Sequence, residues 1–169
     1  MNLALDEARK AIPTPTAFCV GCVVAVRVET DDAPIILATG YSRELPGNTH
    51  AEANALTKAL SLTPDQLLRL SPSLAGRTIN DLLPAVDVYT TLEPCSVRTS
   101  GLSPCVDALV KAGIRRCYIG ASEPPDFVNC QGAALLKSSG VEIVWLQGFE
   151  QESLAVARGK RSAPVEHDI

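Results

Sequence analysis

The chain has 169 residues, which suits one domain that buries roughly two-thirds of the surface its unfolded form exposes. Its net charge of -4 at pH 7 argues against a protein dominated by contacts to a nucleic-acid backbone, since such proteins usually carry a basic face. The longest apolar stretch, 18–26, is far shorter than the roughly 20 residues of a membrane-spanning helix, and the acidic N-terminus lacks a signal-peptide pattern, so we expect a cytoplasmic protein.

Apolar spacing and chain-breaking residues predict strands that alternate with helices. Crossovers through helices make the later strands parallel, so the pattern indicates an α/β fold with a mixed sheet. We expect one domain over 1–158, with a tail at 159–169. The predicted order is helix 2–11, a hairpin of strands 19–28 and 35–41, helix 50–60, an insertion over 61–84 containing one short helix, strand 85–91, helix 104–112, strand 115–120, helix 131–138, strand 141–146 and helix 150–158.

The six cysteines would suit three disulfides in a small secreted protein, but this chain is larger and shows no export pattern. Cys19, Cys22 and Cys117 lie in strand-like apolar segments, where a free cysteine acts as a small buried hydrophobe. Cys19 and Cys22 form a C-x-x-C, but positions three apart in a strand point to opposite faces. Cys130 stands near a predicted helix start, and no role is assigned to it.

Two further cysteines stand at the ends of predicted elements. Cys95 follows a strand, Cys105 lies in the first turn of a helix, and His50 and Glu52 lie in the first turn of another helix. The carboxyl ends of strands and the helix starts beyond them meet at one edge of an α/β sheet. One histidine with two cysteines is a sufficient ligand set for a zinc ion that keeps its fourth position for water. The other histidine, His167, lies in the predicted tail, so such a site must use His50.

Each of these motifs also has a purely structural interpretation. Thr49-x-x-Glu52 fits a capping box, in which the two side chains satisfy each other's backbone donors. Ser103 before Pro104 fits the N-cap of a helix, and each Pro-Cys pair taken alone could be a buried cysteine beside a turn. The order of the motifs and their placement on the predicted elements together favour a metal site.

The motifs together resemble a known family. His50-Ala51-Glu52, Pro94-Cys95 and Pro104-Cys105 reproduce the H-x-E, P-C and second-cysteine signature of zinc-dependent nucleobase deaminases, although nine residues separate the cysteines instead of two. HAEANAL, YTTLEPCS, PCVDALVKAGIRRCYIG and the VGCVV strand resemble the pyrimidine deaminases of riboflavin biosynthesis over most of 1–147, and TTLEPCS…SGLSPC is most similar to the fungal stand-alone form. Bacterial members carry PNP-x-VGC and a histidine after CS, where this chain has TAFCVGC and Val97.

The resemblance implies a three-layer α/β/α cytidine deaminase-like fold with a mixed five-stranded sheet whose last strands are parallel. It implies a Zn2+ ion bound by His50, Cys95 and Cys105, with Glu52 as the proton shuttle. The implied reaction is hydrolytic deamination of 2,5-diamino-6-ribitylamino-4(3H)-pyrimidinone 5'-phosphate, catalysed by a homodimer. A cytidine-nucleotide or tRNA deaminase is an alternative, as is a non-catalytic zinc-stabilised scaffold, although the presence of Glu52 argues against a scaffold.

Candidate substrate contacts lie in three loops beyond the strand ends. Arg98 is either a phosphate ligand or a solvated side chain, and Asn48 either contacts the sugar chain of the substrate or forms the turn before the helix. The loop after the fourth strand supplies weaker candidates at another carboxyl end. The remaining predicted contacts are Ser96, Thr99 and Ser100 from the loop between the metal cysteines, and Glu123 and Asp126 from the loop after the fourth strand.

Overall fold

A five-stranded mixed sheet organises the molecule. The computed structural model describes residues 1–29, 31–98, 101–124 and 130–160. The sheet has the order β2-β1-β3-β4-β5, in which β1 is antiparallel to both β2 and β3, while β3, β4 and β5 are parallel. The predicted hairpin and the parallel later strands are thereby confirmed. The strands are β1 Gly21–Val26, β2 Ile35–Tyr41, β3 Val86–Leu92, β4 Arg116–Ala121 and β5 Glu142–Trp145.

Seven α-helices in the described part of the chain cover the sheet on both faces. One face carries the main core, in which the central strands pack against α2, α5 and α6. The opposite face packs against α1 and α7. This is the three-layer α/β/α arrangement expected from the sequence. The helices are α1 Asn2–Ala8, α2 Ala51–Leu60, α3 Pro64–Leu70, α4 Ile79–Leu82, α5 Cys105–Ala112, α6 Gly132–Ser138 and α7 Glu150–Ala157.

Two glycines let helices approach the sheet closely. A Cβ atom at Gly40 would lie 2.5 Å from the carbonyl oxygen of Ala51, and one at Gly21 would overlap the carbonyl oxygen of Ala4. Real Cβ atoms do not make contacts this short, so a side chain at either position would push the helix away. Gly40 matters for function because α2 begins at the residue after His50 and therefore fixes the depth of His50 and Glu52.

The insertion is more ordered than the sequence predicted. Residues 61–84 contain two α-helices and two 3-10 turns instead of one short helix. Thr63 with Gln66, and Thr78 with Asp81, form capping boxes that start α3 and α4. Five apolar side chains of the insertion are buried in the main core, so the segment is an integral part of the domain. They are Leu67, Leu74, Ile79, Leu82 and Leu83.

Several element ends differ from the predictions. The first helix ends at Ala8, three residues short of the predicted end, and β1 begins at Gly21, so Cys19 lies in the segment before the strand. All six cysteines are free, and Cys19, Cys22 and Cys117 are buried as predicted. Most of the predicted tail, 161–169, lies outside the described residues. Within the described ranges, no helix combines the length and apolar character that a membrane span requires.

Candidate active site

Three side chains with metal-binding atoms converge at the carboxyl edge of β3. His50 is the N-cap of α2, Cys95 follows β3 by three residues, and Cys105 is the first residue of α5. The Nδ1 atom of His50 lies 3.4 Å from Sγ of Cys95 and 3.5 Å from Sγ of Cys105. All three ligand atoms lie within 4.8 Å of one another, so the predicted set is brought together.

These distances fit a zinc ion. Zinc binds histidine nitrogen at about 2.05 Å and cysteine sulfur at about 2.3 Å, and a tetrahedral angle between them gives a nitrogen-to-sulfur separation of about 3.6 Å. The two observed separations are 3.4 and 3.5 Å. Three protein ligands of this kind leave one tetrahedral position for water or substrate.

Backbone hydrogen bonds fix the relative position of the two cysteines. The backbone N–H of Cys105 donates to Sγ of Cys95 at 3.3 Å, and the N–H of Val106 donates to the Cys95 carbonyl oxygen at 3.3 Å. These donors belong to the first turn of α5, whose unpaired N–H groups and positive dipole end stabilise a thiolate. The start of α5 therefore holds Cys95 as well as presenting Cys105.

Cys95 and Cys105 share one proton between them. The hydrogen bond from the Cys105 thiol, with further help from His50, lowers the pKa of Cys95 to about 4. Sharing that proton with Cys95, together with burial, raises the pKa of Cys105 well above its usual range. The pair therefore exists near neutral pH as one thiolate and one thiol, and metal binding would displace the remaining proton.

Glu52 is buried beside the ligand atoms, and only 4% of its surface is exposed. Its Oε1 atom accepts a hydrogen bond at 3.0 Å from the hydroxyl of Thr90, a fully buried residue of β3. Burial raises the pKa of Glu52, and the negative charge of Cys95 adds to the effect. A carboxyl group with a raised pKa near a reacting centre can both take up and return a proton.

A cavity of about 100 Å³ lies over His50, Glu52 and Cys95. Its walls come from the segment before β1, from the loop between β2 and α2, and from the segment 92–98 that follows β3. The cavity therefore opens at the edge of the sheet where the sequence predicted the chemistry.

Only some of the predicted substrate contacts line the cavity in the described part of the chain. Asn48 and Arg98 both line the cavity, and Nη2 of Arg98 donates to the Asn48 carbonyl oxygen at 2.7 Å. Ser96 is not among the cavity-lining residues of the described chain, and its hydroxyl accepts a hydrogen bond from the Gln131 backbone N–H at 3.0 Å. Of the other predicted contacts, Glu123 lines the cavity. Thr99, Ser100 and Asp126 lie outside the described residues.

Glu123 brings a second carboxyl group into the cavity. Its Oε2 atom is buried and has no hydrogen-bond partner among the described residues. Burial raises the pKa of Glu123 to about 7. The Glu123 side chain therefore changes its charge close to neutral pH, in the same cavity as Glu52.

Both predicted helix caps near the site are wrong. The N-cap of α2 is His50, and the Thr49 hydroxyl bonds instead with backbone atoms of Leu45 and with the Asn54 amide. The N-cap of α5 is Pro104 instead of Ser103. Each difference shifts the helix start by one residue, which places His50 and Cys105 at the helix ends themselves.

Two features of the site were not predicted from the sequence. Thr90 carries a weak signal, because a polar residue at a core-facing position of a central strand needs a buried partner. Arg43 lines the cavity, and its side chain bonds with residues at least 24 positions away, so no local pattern indicated its role.

The chain is similar to known proteins over most of its length. Residues 1–121 match the family model described as the cytidine and deoxycytidylate deaminase zinc-binding region. A diaminohydroxyphosphoribosylamino-pyrimidine deaminase of Schizosaccharomyces pombe is 37% identical over 99% of this chain and 36% of its own length. The riboflavin biosynthesis protein RibD of Actinobacillus pleuropneumoniae is 34% identical over 74% of this chain and 26% of its own length. The chain thus spans about a third of the length of such curated relatives.

Solved structures extend the similarity to three dimensions. A crystal structure of a C-terminal deletion mutant of Aspergillus oryzae Rib2 deaminase is 32% identical and covers 95% of this chain and 90% of its own, with a TM-score of 0.75. A structure of the same deaminase in complex with DARIPP is 31% identical and covers 95% and 89%, with a TM-score of 0.71.

Proposed function

Since this chain belongs to the cytidine and deoxycytidylate deaminase family through its zinc-binding region, we propose that it is a zinc-dependent aminohydrolase of riboflavin biosynthesis. The proposed substrate is 2,5-diamino-6-ribitylamino-4(3H)-pyrimidinone 5'-phosphate. The single observation that carries the chemistry is the convergence of His50, Cys95 and Cys105 beside the buried carboxyl of Glu52, under an open cavity. The choice of substrate is supported by the similarity along nearly the whole chain to deaminases of this pathway.

We assign His50, Cys95 and Cys105 as the zinc ligands and Glu52 as the proton shuttle. A zinc ion held by such ligands lowers the pKa of a water molecule toward about 7 and so supplies hydroxide at neutral pH. Glu52 takes up one proton of the water and delivers it to a ring nitrogen, and then takes up the remaining proton of the added hydroxyl and delivers it to the departing amine. Thr90 keeps Oε1 of Glu52 in one orientation.

The reaction replaces an amino group with a carbonyl oxygen. Water adds at C2 of the pyrimidine, a carbon flanked by two ring nitrogens, and the bond from C2 to the amino nitrogen breaks. The products are a uracil-type ring and ammonia. Because the site must accept a ring with several amino groups, the carboxyl groups of Glu52 and Glu123 in the cavity suit it as hydrogen-bond acceptors.

Arg98 is the proposed phosphate ligand. Its guanidinium lies in the cavity wall and is held by the Asn48 carbonyl oxygen, and this planar group can form two parallel hydrogen bonds with a phosphate. Asn48 stands at the same rim and is proposed to meet the sugar chain. Thr99 and Ser100 remain proposed hydroxyl donors from the loop that carries Arg98, whereas the bond from Gln131 favours a structural role for Ser96.

Ammonia release from a small substrate panel tests the proposal. The zinc-loaded protein is assayed with the ribitylamino pyrimidine phosphate, its ribosylamino analogue and a cytidine nucleotide. We expect the highest kcat/KM for the ribitylamino form. Preference for the ribosylamino form would place the enzyme before reduction of the sugar chain, and turnover of the cytidine nucleotide alone would contradict the assignment to riboflavin biosynthesis. A protein that binds zinc but turns over none of the three would be a scaffold.

We further propose that the protein is a cytoplasmic homodimer in which 1–158 form the catalytic domain and 159–169 a tail. Association is supported by three exposed apolar side chains on the loops that border the cavity: Leu45, Val97 and Leu102 are 53%, 56% and 58% exposed. Sedimentation velocity should give twice the monomer mass of 17.9 kDa. Cell fractionation tests the compartment, and the activity of a chain truncated after residue 158 tests the domain limits.

A further inference from the structure

Arg43 has an unusual backbone conformation in the loop between β2 and α2. Its φ angle is 61°, and within the described residues it is the one non-glycine residue with a positive φ. The left-handed region is disfavoured for most L-residues, so the surrounding structure must hold it there. The Arg43 N–H donates to the Thr49 carbonyl oxygen at 2.7 Å and so closes the loop that leads to His50.

The guanidinium of Arg43 reaches out of its own loop to the segment before β1. Nη1 donates to the Phe18 carbonyl oxygen at 2.9 Å, and Nη2 donates to the Ile12 carbonyl oxygen at 2.8 Å. Nη2 also lies 3.5 Å from Sγ of Cys19. One side chain therefore bonds at both ends of residues 12–19, which we call the entry arm.

The entry arm forms one wall of the cavity. Thr16, Ala17 and Phe18 line the cavity on the side that the arm occupies. Apart from an isolated bridge between Thr14 and Ala17, residues 12–19 form no helix or strand. Apart from the local contacts between Thr14 and Ala17, tertiary bonds must therefore hold this wall in place. The Cys19 N–H donates to the Ala157 carbonyl oxygen at 2.9 Å, and a planar charged group with several donors is well suited to hold two further carbonyl oxygens at once.

Arg43 and Arg98 both line the cavity, but their bonding differs. Both terminal nitrogens of Arg43 already donate to backbone carbonyls, whereas the Nε atoms of Arg43 and Arg98 are alike: each is buried and has no hydrogen-bond partner among the described residues. Arg98 lies in the segment that follows β3 and is bonded through Nη2 to the rim at Asn48. The geometry suits Arg98 to an incoming anion and Arg43 to holding the protein's own chain.

We propose that Arg43 is a positioning residue for substrate binding, which clamps the entry arm against the loop before α2 and thereby sets the wall that the pyrimidine ring contacts. The inference rests on the proposed function for the identity of the ring. It assigns Arg43 no contact with the phosphate and no part in proton transfer. Loss of the clamp should therefore weaken binding of the ring and leave the chemical step unchanged.

Two variants of the zinc-loaded full chain test the clamp. Arg43→Asn keeps the loop, because asparagine adopts positive φ readily, but it removes the guanidinium. Arg43→Lys keeps the charge but replaces the planar fork of donors with a single ammonium group. We expect the Asn variant to raise KM about ten-fold and the Lys variant to raise it less, with kcat within about two-fold and zinc content unchanged. Ile12→Ala is the matched control, because it alters an exposed side chain and keeps the carbonyl that Arg43 binds.

Two further measurements distinguish a clamp from an anion ligand. Amide hydrogen exchange in the entry arm should be faster in both Arg43 variants than in wild type and in Ile12→Ala. The rise in KM should be the same for the substrate and for its dephosphorylated form, whereas a rise confined to the phosphorylated form would make Arg43 an anion ligand and overturn the proposal. Unchanged KM, or unchanged exchange in the arm, would also overturn it. Absence of turnover in the wild type would refute the proposed function, while the exchange measurement would still decide whether Arg43 clamps the arm.

Discussion

Replacing Glu52 with glutamine should stop catalysis while leaving zinc bound. The amide is the same size as the carboxyl, and its oxygen can still accept the Thr90 hydroxyl bond that now reaches Oε1 at 3.0 Å. Its NH2 group takes the place of the second carboxylate oxygen, which must take up a proton. General acid–base catalysis contributes about 100- to 10,000-fold, so we expect kcat to fall by that factor, equivalent to about 3–5 kcal/mol of transition-state stabilisation.

The fold should tolerate this change, because burial already penalises the charged form of Glu52. The Glu52→Gln variant should therefore unfold at the same temperature as wild type or higher at pH 8. Ammonia release measures kcat, and elemental analysis measures bound zinc. Glu29→Gln is a suitable control: Glu29 is exposed and follows the end of β1, which antiparallel pairing with β3 places at the sheet edge opposite the site. If Glu52→Gln kept more than about a tenth of wild-type kcat, the shuttle role would be refuted.

Four further outcomes follow from the site. Cys105→Ser should bind less zinc than wild type, because a neutral hydroxyl replaces a thiolate ligand, and elemental analysis measures the loss. Thr90→Val should lower kcat about ten-fold at unchanged KM, and Thr90→Ser should restore it, because serine keeps the hydroxyl that bonds with Glu52. Arg98→Gln should raise KM about ten-fold for the phosphorylated substrate and leave that of the dephosphorylated form unchanged. Glu123→Gln should raise the unfolding temperature more at pH 8 than at pH 5. Burial raises the folded pKa of Glu123 from 4.5 to about 7, so this carboxyl makes the folded state progressively less stable as pH rises between those values.

Each of these outcomes has a result that would contradict it. Full zinc content in Cys105→Ser would remove that residue from the ligand set, and equal kcat in the Val and Ser variants at Thr90 would mean that the hydroxyl does not orient the carboxyl. Equal losses on both substrates in Arg98→Gln would indicate a structural role for that side chain. A pH-independent effect of Glu123→Gln on the unfolding temperature would show that the carboxyl is not buried in the folded state.

The sequence predicted the architecture because the signals for it are local. Alternating and helical apolar periods define each strand and main helix, and the parallel order follows from the length of the crossovers. The meeting of His50 and Glu52 with the two cysteines also follows from a general rule, since the helix starts and strand ends of an α/β sheet share one edge. The convergence of these four residues could therefore be predicted without knowing any distance between them.

Other features depend on contacts between distant residues or on the exact start of a helix. The insertion was predicted to be largely irregular because prolines commonly break helices. In the structure, Pro64 occupies the start of α3 and Pro72 the start of a 3-10 turn, where a missing N–H has no cost. The Thr49 capping box fails because Leu45 and Asn54 already bind that hydroxyl. A sequence pattern does not reveal which of two competing partners a side chain takes.

The nine residues between the two cysteines are compatible with the zinc chemistry because the loop does not position the ligands. Cys105 is fixed by the first turn of α5, and Cys95 is tied to that same turn by the N–H groups of Cys105 and Val106. His50 is fixed separately, as the cap of α2, and Gly40 seats that helix on the sheet. With all three ligands held by helix ends, the length of the loop can change at little thermodynamic cost, since closing a longer loop costs only slightly more entropy. The loop can therefore vary without displacing the three side chains, and through Arg98, the phosphate ligand we propose, it forms part of the cavity wall.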